Sequence, residues 1–189
     1  MLTEQQLIAG GTTEEAVRRI VKEELELAAQ HDAGARRLAI VASKGTLDWA
    51  YPPLILATTA AASGMDASVF FTFYGLNIVH KDFERKLKIS PVGNPAMPMP
   101  LPMPALVTAL PGMGPMATSM MKSMFRGKNV ATIRELLESA QDLGVRLVAC
   151  QMTMDVFGYT QDDFLPGVEF GGAATMLADA RRAHATFFV

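Results

Sequence analysis

The chain holds one cysteine among its 189 residues, Cys150, which closes the apolar run Val145-Arg-Leu-Val-Ala-Cys150 just before Gln151-Met-Thr-Met-Asp155. A thiol at the carboxyl end of a strand is a candidate nucleophile, because reactive groups in open parallel sheets gather where loops converge beyond the strand ends. The competing reading is structural: unpaired cysteine is small, apolar and among the most buried residue types. With no second cysteine, an intramolecular disulfide and a dithiol redox couple are both excluded. A lone thiol suits a reducing compartment or a chemically used sulfur, so a cytoplasmic location is the expectation. Other chemistry-bearing patterns are weak. His31, His80 and His184 are isolated, which argues against a zinc site, and each reads as a surface or capping histidine. Lys44-Gly45-Thr46 lacks the upstream glycine and the residue order of a phosphate loop, and Gly112-Met-Gly114 lacks the third glycine of a dinucleotide fingerprint. No metal and no cofactor are expected, and nothing signals flavin.

The elements that must position Cys150 follow from hydrophobic pattern and punctuation. Residues 13–30 read as an amphipathic helix, with Thr12 or Thr13 as its cap. Arg37-Leu-Ala-Ile-Val-Ala42 is a continuous apolar run, as expected of a strand buried on both faces. A polar loop, Ser43 to Asp48, leads to a helix over 49–63 with Pro52 and Pro53 in its first turn and Gly64 as its stop. Asp66 to Phe73 reads as a second strand, 130–143 as a helix stopped by Gly144, 145–150 as the cysteine strand, 168–170 as a brief strand, 173–183 as a helix and 186–189 as a last strand. This alternation predicts a parallel α/β sheet covered on both faces.

One segment departs from that scheme. From Ile89 to Met121 there is no charged residue, and eight of the eleven prolines lie between Pro91 and Pro115. Those prolines leave no uninterrupted apolar helix near the roughly 20 residues a membrane span requires. The reading is an extended Pro-rich loop, then a short helix over 116–125, with methionines spread through both. Such an apolar, adaptable surface suits either a flap that self-associates or meets a partner, or a simple excursion packed on the protein's own core, and it leaves peripheral membrane contact open. A net charge of −2, from 17 basic and 19 acidic residues, offers no basic face for nucleic acid. The amino terminus carries no basic region followed by an apolar run, so export is not expected.

Three segments, Arg37 to Asp48, Gly64-Met-Asp-Ala-Ser-Val-Phe-Phe-Thr-Phe73-Tyr-Gly-Leu76 and Gly144-Val-Arg-Leu-Val-Ala-Cys150-Gln-Met-Thr-Met-Asp155, together resemble the DsrE/DsrF-like family. The resemblance runs from Arg36 to Val189 and takes in the Met/Pro-rich insertion of one longer branch and Gly171-Gly172 before the last helix. It implies a flavodoxin-like α/β fold, with residues 1–35 an N-terminal helical extension and 36–189 a DsrE-like domain carrying an insertion over 89–125. It also implies a homo-oligomer, sulfane sulfur carried on Cys150 as a persulfide, and transfer to a partner thiol, with TusA-like carriers or rhodanese-like sulfurtransferases as partners. An ordinary thiol is only slightly ionised at neutral pH, so such a site needs local donors or positive charge. The candidates are Lys44, Thr46, Asn77, Gln151, Thr153 and the amides of residues 151–154. Asp48 reads as a helix-capping aspartate, and Trp49 and Tyr51 as walls or core. The alternative is a noncatalytic oligomeric binding or assembly protein, with membrane association left open, in which Cys150 is structural.

Overall fold

The structure, a computed structural model, describes residues 17–23, 36–89 and 113–189. The chain divides into two compact units, Met1–Arg36 and Arg37–Val189. In the first, residues 17–23 are helical and exposed; the rest of the helix expected over 13–30 lies outside the described residues. The second unit runs β1 (Arg37–Ala42), α1 (Leu47–Ala62), β2 (Asp66–Phe71), a one-turn 3-10 helix (Phe73–Gly75), α2 (Leu76–Val79), α3 (Phe83–Lys86), α4 (Met113–Gly127), α5 (Ile133–Asp142), β3 (Arg146–Cys150), α6 (Gln151–Phe157), β4 (Glu169–Gly171), α7 (Ala173–Arg182) and β5 (Ala185–Phe188). The five strands form one parallel sheet in the order β4-β3-β2-β1-β5.

That order places helices on both faces. From β1 to β4 the chain steps one strand at a time in one direction, so right-handed crossovers keep the connecting helices on one side of the sheet. From β4 the chain reverses to pair β5 with β1, which sends α7 across the opposite face, where it touches both β1 and β4. On the first face Leu38, Ile40, Ala42, Val69, Phe71, Leu147 and Ala149 meet Ala50, Leu54 and Ala57 of α1 and Ile133, Leu137 and Ala140 of α5 in the main core. The alanines let α1 and α5 approach each other and the sheet closely. On the second face Phe70, Val148 and Cys150 form a smaller cluster under Met176 of α7.

Local chemistry moves several boundaries from their expected places. β2 ends at Phe71, two residues early, because Phe73 takes a left-handed conformation (φ +48°) and the chain winds into the 3-10 turn. α5 starts at Ile133, three residues late, behind a capping box: the Glu135 amide donates to Thr132 Oγ1 (3.2 Å) and the Thr132 amide to Glu135 Oε2 (2.7 Å). α1 starts at Leu47, so Pro52 and Pro53 fall in its second turn, not its first, and the Asp48 and Trp49 carbonyls lose their helical donors. His80 is buried, 7 % exposed, and its Nδ1 accepts the Asp82 amide at 2.9 Å. Burial pushes its pKa down, with Lys86 acting in the same direction. The Pro-rich loop and the methionines at 97, 99 and 103 lie outside the described residues. α4 extends the expected short helix to Met113–Gly127, and its Phe125 ring stands edge-on to Tyr51, centroids 4.7 Å apart. Among the described residues no helix is long and apolar enough to cross a membrane.

At the far end of the strands Arg146 binds Glu169 of β4 (2.7 and 3.2 Å) and Asp179 of α7 (2.9 and 3.0 Å), tying three elements together. The Arg146 guanidinium lowers the Glu169 pKa. A carboxyl depressed in the folded state stabilises the fold above its unfolded value, and that stability is lost as pH falls through the folded one. Glu169→Gln is therefore expected to flatten the dependence of the unfolding midpoint on pH below about 4.3, the ordinary glutamate value. The partners are half exposed, so at neutral pH the variant should lose no more than about 1 kcal/mol. Urea titrations across this pH range check both expectations.

Candidate functional site

Cys150 is the last residue of β3 and the N-cap of α6, so its sulfur sits where the sheet hands over to helix. It is 4 % exposed. The next strand, β2, ends alongside it, with Phe71 paired to Ala149. That register brings Thr72 to α6, where Thr72 Oγ1 lies 3.2 Å from Thr153 Oγ1. Thr153 is 2 % exposed, and its Oγ1 also accepts the Phe73 amide at 3.3 Å. A hydroxyl has one proton and two lone pairs. Either threonine can donate to the other, and the hydroxyl that accepts in that pair keeps its own proton for another acceptor.

These groups set the character of the thiol. Burial pushes the Cys150 pKa up, but hydrogen bonds to the thiolate from the Thr153 hydroxyl and amide, the Thr72 hydroxyl and the Met152 amide together outweigh it. The net shift is downward. Cys150 makes no ordinary capping bond as a neutral thiol; the amides at the start of α6 act on the charge once it forms. Local donors that favour the charged form are what a reactive cysteine requires, and an inert core thiol has no need of them.

The expected site residues separate into two groups. Of the expected groups, the Thr153 hydroxyl and the Met152 and Thr153 amides favour the Cys150 thiolate, and Gln151 begins α6 with its side chain exposed. Lys44, Thr46, Asn77 and the Gln151 side chain are not among the groups that hold the thiolate. The Lys44 ammonium instead lies over the Trp49 ring, 3.1 Å from its centroid, an interaction the sequence reading did not weigh. Thr46 is the N-cap of α1, yet its hydroxyl makes no capping bond. Thr46 Oγ1 and Asp48 Oδ1 are buried with no hydrogen-bond partner among the described residues. Asp48 thus lies in the first turn of α1 and does not cap it. Tyr51 turns toward Phe125, into the core side of the sheet, and does not wall the thiol. Thr72 is the residue sequence reasoning missed: a threonine just past a strand end was the signal, and the adjacency of β2 and β3 was the missing link. Among the described residues no group of three acidic, histidine or cysteine side chains could hold a metal.

Asn77 lies beside the contact between two loops. The loop after β1 and the turn after β2 pack backbone on backbone: Thr72 donates to Ala42 O at 3.0 Å and Gly75 to Ser43 O at 3.2 Å. A Cβ on Gly45 would collide with the Tyr74 carbonyl and reach within 3.0 Å of Asn77 Nδ2; one on Gly75 would collide with the Ala42 carbonyl. Neither carbonyl can swing aside as a side chain could. Gly45→Ala is expected to cost about 1–3 kcal/mol, the usual penalty of overpacking. It should also slow reactions of Cys150 by displacing the turn that carries Thr72 and Phe73. A urea midpoint and a thiol-labelling rate on the same sample test the two effects.

Residues 34–188 match the model of the DsrE/DsrF/DrsH-like family. The chain belongs to this family. Within it, the DsrE-like chain is 48 % identical over 158 residues to the sulfur carrier protein DsrE2 of Allochromatium vinosum, covering 82 % of this chain and 98 % of that protein. It is 34 % identical over 164 residues to the protein YrkE of Bacillus subtilis, covering 82 % and 97 %. The crystal structure of YchN from E. coli superimposes with a TM-score of 0.50 at 16 % identity, over 82 % of this chain and 99 % of that one. That likeness bears on the fold alone, and it agrees with the expected DsrE-like α/β architecture.

Proposed function

We propose that this protein is a sulfur carrier in which Cys150 accepts sulfane sulfur as a persulfide and passes it to a partner thiol. The observation that carries the reading is the buried Cys150 at the junction of β3 and α6, beside the Thr72–Thr153 pair, with its pKa drawn down by those hydroxyls and the Met152 and Thr153 amides. Its support from outside the chain is the 48 % identity to a protein named as a sulfur carrier. The Cys150 thiolate attacks the outer sulfur of a donor persulfide or thiosulfonate; the donor leaves as thiolate or sulfinate, and Cys150-S-SH remains. No second cysteine is needed. The donors that favour the thiolate also make Cys150 a good leaving group when the sulfur moves on.

In this proposal residues 36–189 form the carrier domain, with residues 1–35 an extension, and the setting is the reducing cytoplasm. Partners of TusA-like or rhodanese-like type would supply or remove the sulfur. Copies of the chain associate: β5 is an edge strand, and Phe188 on it (75 % exposed) and Leu177 on α7 (67 % exposed) are large apolar side chains left in solvent. Light scattering that gives the mass of one chain would remove the oligomer from the proposal. Intact-mass measurement tests the carrier itself. After incubation with a sulfane-sulfur donor the wild type should gain one sulfur, removed again by reductant, and a wild type that gains none leaves Cys150 as a structural thiol in a binding protein.

A further inference from the structure

Four large apolar side chains stand in solvent on the two elements that flank Cys150: Phe73 (54 % exposed) and Tyr74 (65 %) in the turn after β2, Met152 (60 %) and Val156 (73 %) on α6, which starts next to the cysteine. The turn and the helix are in contact. The Phe73 amide is bonded to Thr153 of α6, and the Tyr74 ring lies 5.7 Å from the Phe157 ring at the end of α6. Met152 and Val156, four residues apart, share a helix face. Phe73 also keeps a left-handed backbone (φ +48°) with its ring outward. For a bulky residue that conformation costs about 1–3 kcal/mol and in native structures concentrates at functional sites.

We propose that this apolar collar is the docking surface for a protein that brings its own cysteine to Cys150 on a protruding apolar segment; the proposal rests on the sulfur-carrier reading. Three observations choose this occupant. A small hydrophilic thiol gains nothing from exposed aromatic and methionine side chains, whereas a protein partner buries them, and these residue types are enriched at the centres of interfaces. A second copy of the chain brings only an identical recessed Cys150, and exchange between identical sulfurs delivers none to a new molecule. The one charged side chain on α6 is Asp155, exposed beside Val156, so the complementary surface is apolar with a basic residue at its rim. In the docked pair the partner thiolate attacks the outer sulfur of Cys150-S-SH. A new S–S bond forms on the partner, the S–S bond to Cys150 breaks, Cys150 leaves as thiolate, and the proton stays on the transferred sulfur. Nothing is oxidised or reduced overall.

Two synthetic cysteine peptides of equal length and charge test the surface, one with leucine, phenylalanine and lysine around the cysteine, the other with serine, glycine and lysine. Wild-type protein loaded from glutathione persulfide should lose its sulfur to the apolar peptide about tenfold faster, a difference of about 1.4 kcal/mol. Val156→Gln, and separately Tyr74→Ser, should bring the two rates together while loading from glutathione persulfide is unchanged. Equal rates to both peptides in the wild type overturn the docking surface. So does a fall in particle mass on Val156→Gln, which would assign the collar to contact between copies. Failure of the wild type to load at all overturns the carrier reading instead, and the docking surface with it.

Discussion

Cys150→Ser is expected to fold as the wild type does and to take up no sulfane sulfur. The substitution replaces sulfur by oxygen at a position already surrounded by donors, the Thr153 and Thr72 hydroxyls and the Met152 and Thr153 amides. Serine is also a favoured N-cap, the position Cys150 holds before α6. The unfolding midpoint should therefore move by no more than about 1 kcal/mol, the scale of mild substitutions. The chemistry should vanish entirely, because an unactivated serine hydroxyl is not ionised at neutral pH and forms no S–S bond. Urea titration and intact mass on one preparation separate the two effects. A serine variant that still gains reductant-labile sulfur would place the carried sulfur away from Cys150.

Thr153→Val should have the next largest effect, on reactivity and stability together. The valine keeps the volume of Thr153, a residue 2 % exposed, but removes the hydroxyl that faces the thiolate, and it leaves the Phe73 amide and the Thr72 hydroxyl without that partner. A hydrogen bond to a charged group is worth about 1.5–3 kcal/mol, so thiolate reactions at neutral pH should slow about tenfold or more. The sign of the pH effect is fixed. The lost bond favoured the charged form, and with it gone burial works less opposed, so the labelling profile with iodoacetamide should move to higher pH. Thr153→Ser, which keeps the hydroxyl, should restore the wild-type profile. A purely structural Thr153 would lower the rate evenly at every pH with no shift of the profile. The orphaned amide should lower stability by about 1–3 kcal/mol.

Much of the scaffold was legible because burial on both faces leaves a plain trace: the run Leu38 to Ala42 needs no alternation when helices cover both sides of β1. The place of Cys150 at a strand end was legible for the same reason. The site itself was only half legible. Thr153 lies three residues from the cysteine, within one helical turn, so local spacing carried it. Thr72 reaches the sulfur only because β2 pairs with β3, and strand order is not written in any local pattern. Lys44 failed for a related reason: a loop lysine near a strand end can turn toward a thiolate or toward the neighbouring Trp49, and packing, not spacing, chose the ring. The start of α5 was different, since the Thr132-x-x-Glu135 box was visible in the sequence and outweighs the apolar periodicity that placed the helix start at Val130.

Peptide-mapped mass spectrometry of the wild type after a single exposure to glutathione persulfide tests the central claim most directly. One added sulfur on the peptide that contains Cys150, removed on addition of a second thiol and recovered as that thiol's persulfide, is the predicted result. No added sulfur on that peptide, or sulfur that no acceptor thiol can remove, would contradict it.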